Sequence, residues 1–574
     1  MDTWYEAFKH RDDLLKYKSN AIGLFALELK FNIDDIDSVA SDAITDGSND
    51  KKCDIIYIDL EERYAVIAQC YFSENTKKGA KSNKASDLNT AIGWLFSQNI
   101  EVIPLQIKSH VITLRDAIKN NKIDNLYIWY IHNRRESKNV KEELDTVYLS
   151  TKTILEENLG NRNFKIKCQE IGNNTLEEWY TNSRTPIIVQ ETITFDNIVG
   201  FEEKTEQWKS LVTSIKLSQL KKLFTKFGSN LFSANIRDYL GIVKKDENIN
   251  YNIQKTASQD PENFWIYNNG MTILTSNYEY NPSENLLTAN GISIINGAQT
   301  TGSIGNISNP LSDDSKILVR FVRTDDKDIL FNIVKYNNSQ NKISAADFRS
   351  TDEVQRRLCE EMNDIPSASY AGGRRGGDKD AIQRNSNLLP SYTVGQSLYA
   401  FHVDPILAYN SKSKIWQSDK MYSDIFNEKT TAKHIIFVFS LLKCIEELQY
   451  KSKKETEDTS TNIKVRELLS IRGISYLITN MIADCMEDIL KKKIPDLFSL
   501  SFGSISPKNA ISVWNPLISM IIPIAINHSS NINDRIKSEE ALKFKSTVKS
   551  FIASVLTYDD PKPIKDFRKK VLME

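Results

Sequence analysis

The sequence predicts an α/β protein built from several domains. Three observations carry this. The 574-residue chain is too long for a single core. Short β-branched runs alternate with helical periodicity up to about Thr185. After His402 the apolar spacing is helical. The expected division is an α/β domain over residues 1–184, a central α+β domain over 185–404 and a helical C-terminal region over 405–574.

Composition narrows the function classes. Hydrophobic residues at 40%, charged residues at 26% and a net charge of −1 describe a globular protein without a uniformly basic coat, so any nucleic-acid surface must be local. The six cysteines include no CxxC pair, which argues against a zinc ribbon or a disulfide framework and for a reducing, cytoplasmic setting. The N-terminus MDTWYEAFKHRDD lacks the apolar core of a signal peptide. The most apolar late run, Val513–Ile526, is short and interrupted by Pro516 and Pro523, so no membrane association is expected.

In chain order, Trp4, Phe8, Ile22, Phe25, Ala26 and Leu29 are spaced as on helices, with Glu28 near the end and free to face either way. A turn-rich stretch, Asp46-Gly47-Ser48-Asn49-Asp50, precedes two β runs, Cys53–Asp59 and Tyr64–Phe72, which the turn LEER joins into a hairpin. On antiparallel partners Asp54 and Gln69 can approach each other.

That spacing resembles the PD-(D/E)XK nuclease core in its Mrr variant, where an Asp on one strand precedes Gln-x-Lys on the next. The resemblance implies a restriction-endonuclease-like α/β fold for the first domain, Asp54 and Glu28 as ligands of Mg²⁺ or Mn²⁺, and Gln69 as the strand partner of Asp54. A lysine that helps activate the attacking water is also implied. Here Gln69-Cys70-Tyr71 puts Tyr71 in the lysine position, where it brings no positive charge at neutral pH. Either a lysine of the Asn75–Lys84 loop, with Lys77 and Lys78 the leading stand-ins, replaces it, or the fold is kept and cleavage is lost. A solvated loop and a turn-side carboxylate are the plainer reading.

Further along, Asp87–Phe96 reads as helix, Ala117–Asn120 as a helix end, Leu126–His132 as strand, Val140–Glu157 as helix and Phe164–Gln169 as strand. Thr185-Pro186 breaks the alternation. A β stretch over Ile187–Ile198 then leads to a helix expected over Lys209–Leu223, with lysines and apolar residues on opposite faces.

Two short buried strands, Met271–Leu274 and Ile292–Ile295, adjoin Asn268-Asn269-Gly270 and Asn296-Gly297-Ala298-Gln299. Lys316–Arg323 alternates as a half-buried strand, and Asp328–Tyr336 reads as a helix ending at Asn337-Asn338-Ser339-Gln340-Asn341. A helix over Ser344–Met362 precedes Tyr370–Lys379, where four glycines surround Arg374 and Arg375. No GxxxxGK[ST] spacing occurs, so P-loop chemistry is not indicated. Asn269, Asn296, Gln299, Asn338, Gln340, Arg374 and Arg375 are expected to line one polar pocket for an anionic ligand. Ordinary turns and caps are the alternative for each.

With Phe232–Gly241 upstream and Tyr336–Ile343 downstream, this stretch resembles the bacterial AIPR family, the abortive-infection phage-resistance proteins, over roughly Leu231–Arg384. A fainter likeness links Ile294–Gln299 and Tyr336–Lys342 to DndB-type proteins, which implies a nucleotide or phosphodiester pocket, although Thr300 and Thr301 replace their His and Arg. Helices are expected over Thr431–Gln449, Val465–Lys493 and Glu539–Leu556, with Val513–Ile526 a buried helix or a broken pair. That third is expected to scaffold or to form a homo-oligomer. The resemblances imply a metal-dependent nuclease acting on DNA in phage defence, or a catalytically degenerate sensor of nucleic acid or nucleotide.

Overall fold

The computed structural model describes the chain apart from residues 1–2, 32, 34, 48, 74–78, 160–164, 185–188, 233–248, 308–310, 313–314, 327–328, 330–332, 334–348, 350–351, 371, 373–386, 456–458, 530–531, 533–537, 559 and 574. It forms two compact units, residues 1–176 with 345–574, and residues 177–344. The helical C-terminal region thus begins upstream of 405 and shares one body with the first domain.

In the first part of that body, helices α1 (Ala21–Phe31) and α2 (Ile36–Ala43) precede the hairpin β1 (Ile55–Asp59) and β2 (Tyr64–Tyr71). Helices α3 (Ser82–Phe96) and α4 (Leu105–Lys119) lead to β3 (Asn125–His132), and α5 (Lys138–Leu159) leads to β4 (Lys165–Ile171). The sheet order is β1-β2-β3-β4, with β1 antiparallel to β2 and the rest parallel. β2 and β3 are apolar almost throughout because helices cover both faces. On one face Ile56, Ile58, Ile67 and Ile128 pack with Leu88, Ile92, Leu114 and Leu144. On the other, α1 approaches closely at Gly23, where a Cβ would lie 2.5 Å from Cys70 Sγ and 2.6 Å from Ile55 Cδ1.

The second unit is a six-stranded sheet of β5 (Val189–Asp196), β6 (Gly200–Lys204), β7 (Trp208–Lys216), β8 (Met271–Asn281), β9 (Leu286–Asn296) and β10 (Lys316–Thr324). Its order is β5-β9-β8-β10-β7-β6, and only the β8–β10 pair is parallel. The helix expected over Lys209–Leu223 is a correction. Trp208–Lys216 is a strand that buries Leu211, Thr213 and Ile215 at period two, and helix α6 (Leu217–Phe227) starts only afterwards. The two short central strands are the ends of a long hairpin that turns at Asn285, held at φ 51°. Beyond it, α7 (Ala298–Gly305) starts from Gly297.

The rest of the first body is helical: α8 (Glu353–Met362), α9 (Ser391–His402), α10 (Ala432–Lys454), α11 (Ile474–Leu490), α12 (Pro507–Ile526) and α13 (Ser538–Tyr558). The helix expected over Val465–Lys493 is broken at Gly473, whose φ of 77° suits glycine. α12 is continuous through Pro516 and Pro523. Among the described residues it is the one helix long and apolar enough to cross a membrane, and its Trp514, Leu517, Ile521 and Ile522 lie in the helical core.

Buried polar bonds explain why the first domain and the helices form one body. Lys443 of α10 bonds Asp35 at 2.6 Å and Glu446 at 3.0 Å, and Thr393 of α9 also donates to Asp35. Arg472 bonds Asp42 at 3.2 Å and the Ile58 carbonyl at 3.1 Å. Lys453 donates to the carbonyls of Ser41, in the last turn of α2, and of Ile44, just past its end. Cutting this body apart near residue 184 or 404 would leave several buried charges without partners.

Candidate functional site

Asp54 sits at the mouth of β1, where its N–H donates to the Ala68 carbonyl and so keeps it in register with β2. Its side chain is drawn inward. Gln69 Nε2 donates to Asp54 Oδ2 at 2.8 Å, and the Cys70 N–H donates to the same oxygen at 2.6 Å. Gln69 is only 5% exposed, and its Oε1 has no hydrogen-bond partner among the described residues. An unsatisfied buried acceptor costs about 1–3 kcal/mol, so this amide oxygen is open to a partner other than the described residues.

Burial pushes the Asp54 carboxyl up to about 7; the Cys70 N–H and the Lys84 ammonium pull against the shift, while Asp46 and Asp50 add to it. Those two aspartates come from the turn ahead of β1, and one oxygen from each of Asp46, Asp50 and Asp54 lies within 4.8 Å of the others. Burial also raises Asp50, with Asp46 adding to the effect. At Asp46 burial acts upward too, but bonds from Lys454 and Asn20 outweigh it and the net shift is down. The donor set, three carboxylates and a free amide oxygen, is all oxygen. That fits a hard divalent cation such as Mg²⁺ or Mn²⁺.

Toward the carboxyl end of the parallel strands, Gln69 is paired in register with Tyr130 and Tyr71 with His132. Arg134 lies with its guanidinium carbon 5.2 Å from the centre of the Tyr71 ring, and donates to the Gly79 carbonyl and Ser73 Oγ. Its Nε and the Tyr130 hydroxyl are buried without hydrogen-bond partners among the described residues. His132 accepts from the Arg134 N–H at Nδ1 and meets Glu170 through Nε2 at 2.9 Å, which fixes its tautomer. The Arg134 guanidinium therefore places a positive charge beside Tyr71.

Of the residues singled out from sequence, Asp54 and Gln69 meet. Glu28 instead forms a buried two-point pair with Arg11, at 2.6 and 3.2 Å, and the carboxylates gathered with Asp54 are Asp46 and Asp50. Lys77 and Lys78 lie outside the described residues, as do Asn338, Gln340, Arg374 and Arg375. Asn269 is exposed just ahead of β8 and Asn296 ends β9, so the two Asn-Gly corners lie at the same end of one antiparallel pair. Gly297, at φ 101°, would place a Cβ 2.7 Å from Met271 Cβ, which is a backbone reason for glycine there. Asn268 accepts from the Gly270 N–H and donates to Thr300, as a turn residue does. Gln299 falls in the first turn of α7.

Asp46, Asp50, Arg134 and Lys454 do not stand out as site residues in the sequence. The recurrence of Asp at 46, 50 and 54 was the available signal for the first two. Nothing local points to Lys454, which reaches Asp46 across 408 residues of chain.

One unit thus joins an α/β domain with an acidic, partly unsatisfied corner to a large helical body, and the other is a six-stranded sheet unit. The family model described as AIPR protein matches residues 232–540, more than half of the chain. The chain belongs to the AIPR family. Comparison with curated proteins and with solved structures gives no match. The matched segment contains Lys443, Lys453 and Lys454, whereas the Asp54 corner lies ahead of it.

Proposed function

We propose that this AIPR protein serves abortive-infection defence against phage as a divalent-cation-dependent nuclease that cuts DNA from the Asp54 corner. The observation that carries the reading is the buried Asp54–Gln69 pair, 2.8 Å apart, with the amide oxygen left unpartnered. A mixed sheet with one antiparallel hairpin and parallel strands beyond it, with Asp54 just ahead of β1 and Gln69 on β2, is the arrangement that a PD-(D/E)XK-type core needs. The bound cation would supply charge neutralisation at the phosphate and a more acidic water. Asp54 contributes a carboxylate oxygen whose rotamer the Cys70 N–H holds, and Gln69 fixes that carboxylate while keeping Oε1 available. Arg134 and Lys84 bring the positive charge that Tyr71 lacks, with Lys77 and Lys78 as further sources.

The test is cleavage of supercoiled plasmid and linear duplex in Mn²⁺ or Mg²⁺ by wild type and Asp54→Asn, with circular dichroism as the folding control. Wild type is expected to nick or cut, and the variant to lose about 100-fold or more. Equal activity in both proteins overturns the assignment. Tyr71 favours one competing reading, a protein that binds nucleic acid or nucleotide without turnover. Salt-sensitive DNA binding with no cleavage in either cation would establish that reading instead.

A further inference from the structure

The acidic turn ahead of β1 has a role that the Asp54–Gln69 pair alone does not need. Asp46 and Asp50 sit on one turn, where the Lys52 N–H donates to Asp50 Oδ1 at 2.8 Å and Asn20 Nδ2 donates to Asp46 Oδ2 at 2.8 Å. Yet their oxygens are gathered with that of Asp54 inside 4.8 Å, where like charges repel. The amide of Gln69, nine-tenths buried, is anchored in the same cluster through Asp54 and carries a bare Oε1. Among the described residues, the bonds to the Asp54 carboxylate come from an amide and a peptide N–H, so no ammonium neutralises it directly. Asp46 does have one: Lys454, the last residue of α10, donates to its Oδ2 at 2.9 Å.

We infer that Asp46, Asp50 and Asp54, with Gln69 Oε1, form a site for one divalent cation of the Mg²⁺ or Mn²⁺ type, and that Lys454 competes with that cation through Asp46. This deepens the reading above and rests on it through Asp54, but it concerns binding and needs no cleavage. It also joins the cation site to the family-matched segment, because displacing Lys454 breaks the bond from the last residue of α10 to the turn. The neighbouring Lys453 stays fixed to carbonyls of Ser41 and Ile44, which confines the change to one side chain.

The experiment is titration of the full chain with Mn²⁺, free ion being read by electron paramagnetic resonance, for wild type, Asp50→Asn and Lys454→Met. Asp50 lies in a partly exposed turn, and circular dichroism with melting temperature checks each variant's fold. Wild type is expected to bind one Mn²⁺ per chain. Asp50→Asn should bind on the order of 10–100-fold more weakly, and Lys454→Met about threefold to fivefold more tightly. No Mn²⁺ binding by wild type, or wild-type affinity in Asp50→Asn, overturns the site, and unchanged affinity in Lys454→Met overturns the competition. Mn²⁺ binding without DNA cleavage leaves the site standing and removes the nuclease reading. Cleavage that depends on Asp54 while Asp50→Asn keeps full Mn²⁺ affinity does the reverse.

Discussion

Around Lys443, Asp35 and Glu446 are buried with an ammonium between them, at 2.6 and 3.0 Å, and Ser38 and Thr393 complete their bonds. A short way along the chain, Asp46, Asp50 and Asp54 bring one oxygen each within 4.8 Å of the others, but Lys454 bonds Asp46 and, among the described residues, Asp54 is held by neutral donors. Burial raises Glu446 against the pull of Lys443, and it raises Asp54 to about 7 with two aspartates adding to it. The difference separates a structural charge network from a site. Where the chain supplies the counter-charge in the middle of the cluster, the carboxylates tie elements together. Where, among the described residues, no ammonium reaches the middle of the cluster, the proposed cation from solution would take that place.

The sharpest way to break this comparison is Lys443→Met. It leaves Asp35 and Glu446 buried without their ammonium and should cost about 3–5 kcal/mol in urea unfolding. A variant as stable as wild type would show that the network holds nothing together.

The next effect is a pH dependence with a defined sign. A carboxyl raised in the folded state gives stability that is complete below its unfolded pKa and is lost as pH rises through its folded one. With a folded value of about 7, Asp54 makes wild type less stable as pH climbs from about 4 to about 7. The loss is on the order of 3–4 kcal/mol from this group alone. Asp54→Asn should lack this component, so the two unfolding curves should draw together at pH 5 and separate at pH 8, with the variant the more stable. Parallel pH profiles would mean that Asp54 is not desolvated.

Lys454→Met sharpens the contrast within one helix. Its bond to Asp46 resembles that of Lys443 to Asp35 in length, but Lys454 is 36% exposed, so its loss should cost less than about 1 kcal/mol. Smallest of all is the double variant Arg374→Ala, Arg375→Ala. Its stability should change by no more than about 0.5 kcal/mol, read as melting temperature, while retention of anionic ligands by the full chain falls. Undiminished retention would remove those arginines from any binding role.

How far the sequence reveals this molecule depends on the range of the interaction concerned. The Asp54–Gln69 hairpin is legible because strand periodicity and an intervening turn set the register by local rules, and the helices covering it follow their apolar spacing. Trp208–Lys216 is misread because Lys209, Lys216 and the apolar residues between them satisfy either period, and pairing with β10 decides for strand. The Asn-Gly corners are legible as corners, though Gly297 and Asn268 are explained by backbone needs. Asp46 and Asp50 look like turn residues until the fold brings them to Asp54. The tie between the first domain and the helices is invisible locally, since Lys443 and Lys454 find partners some 408 residues away.

The most direct measurement is anomalous diffraction at the manganese edge from crystals of the full chain soaked in Mn²⁺. The expected result is one peak among Asp46, Asp50 and Asp54, at about 2.0–2.6 Å from their oxygens, with Gln69 Oε1 turned onto it and Lys454 moved off Asp46. An accessible, fully soaked crystal with no peak there, and with Lys454 still bonded to Asp46, would contradict the assignment of this corner to a cation.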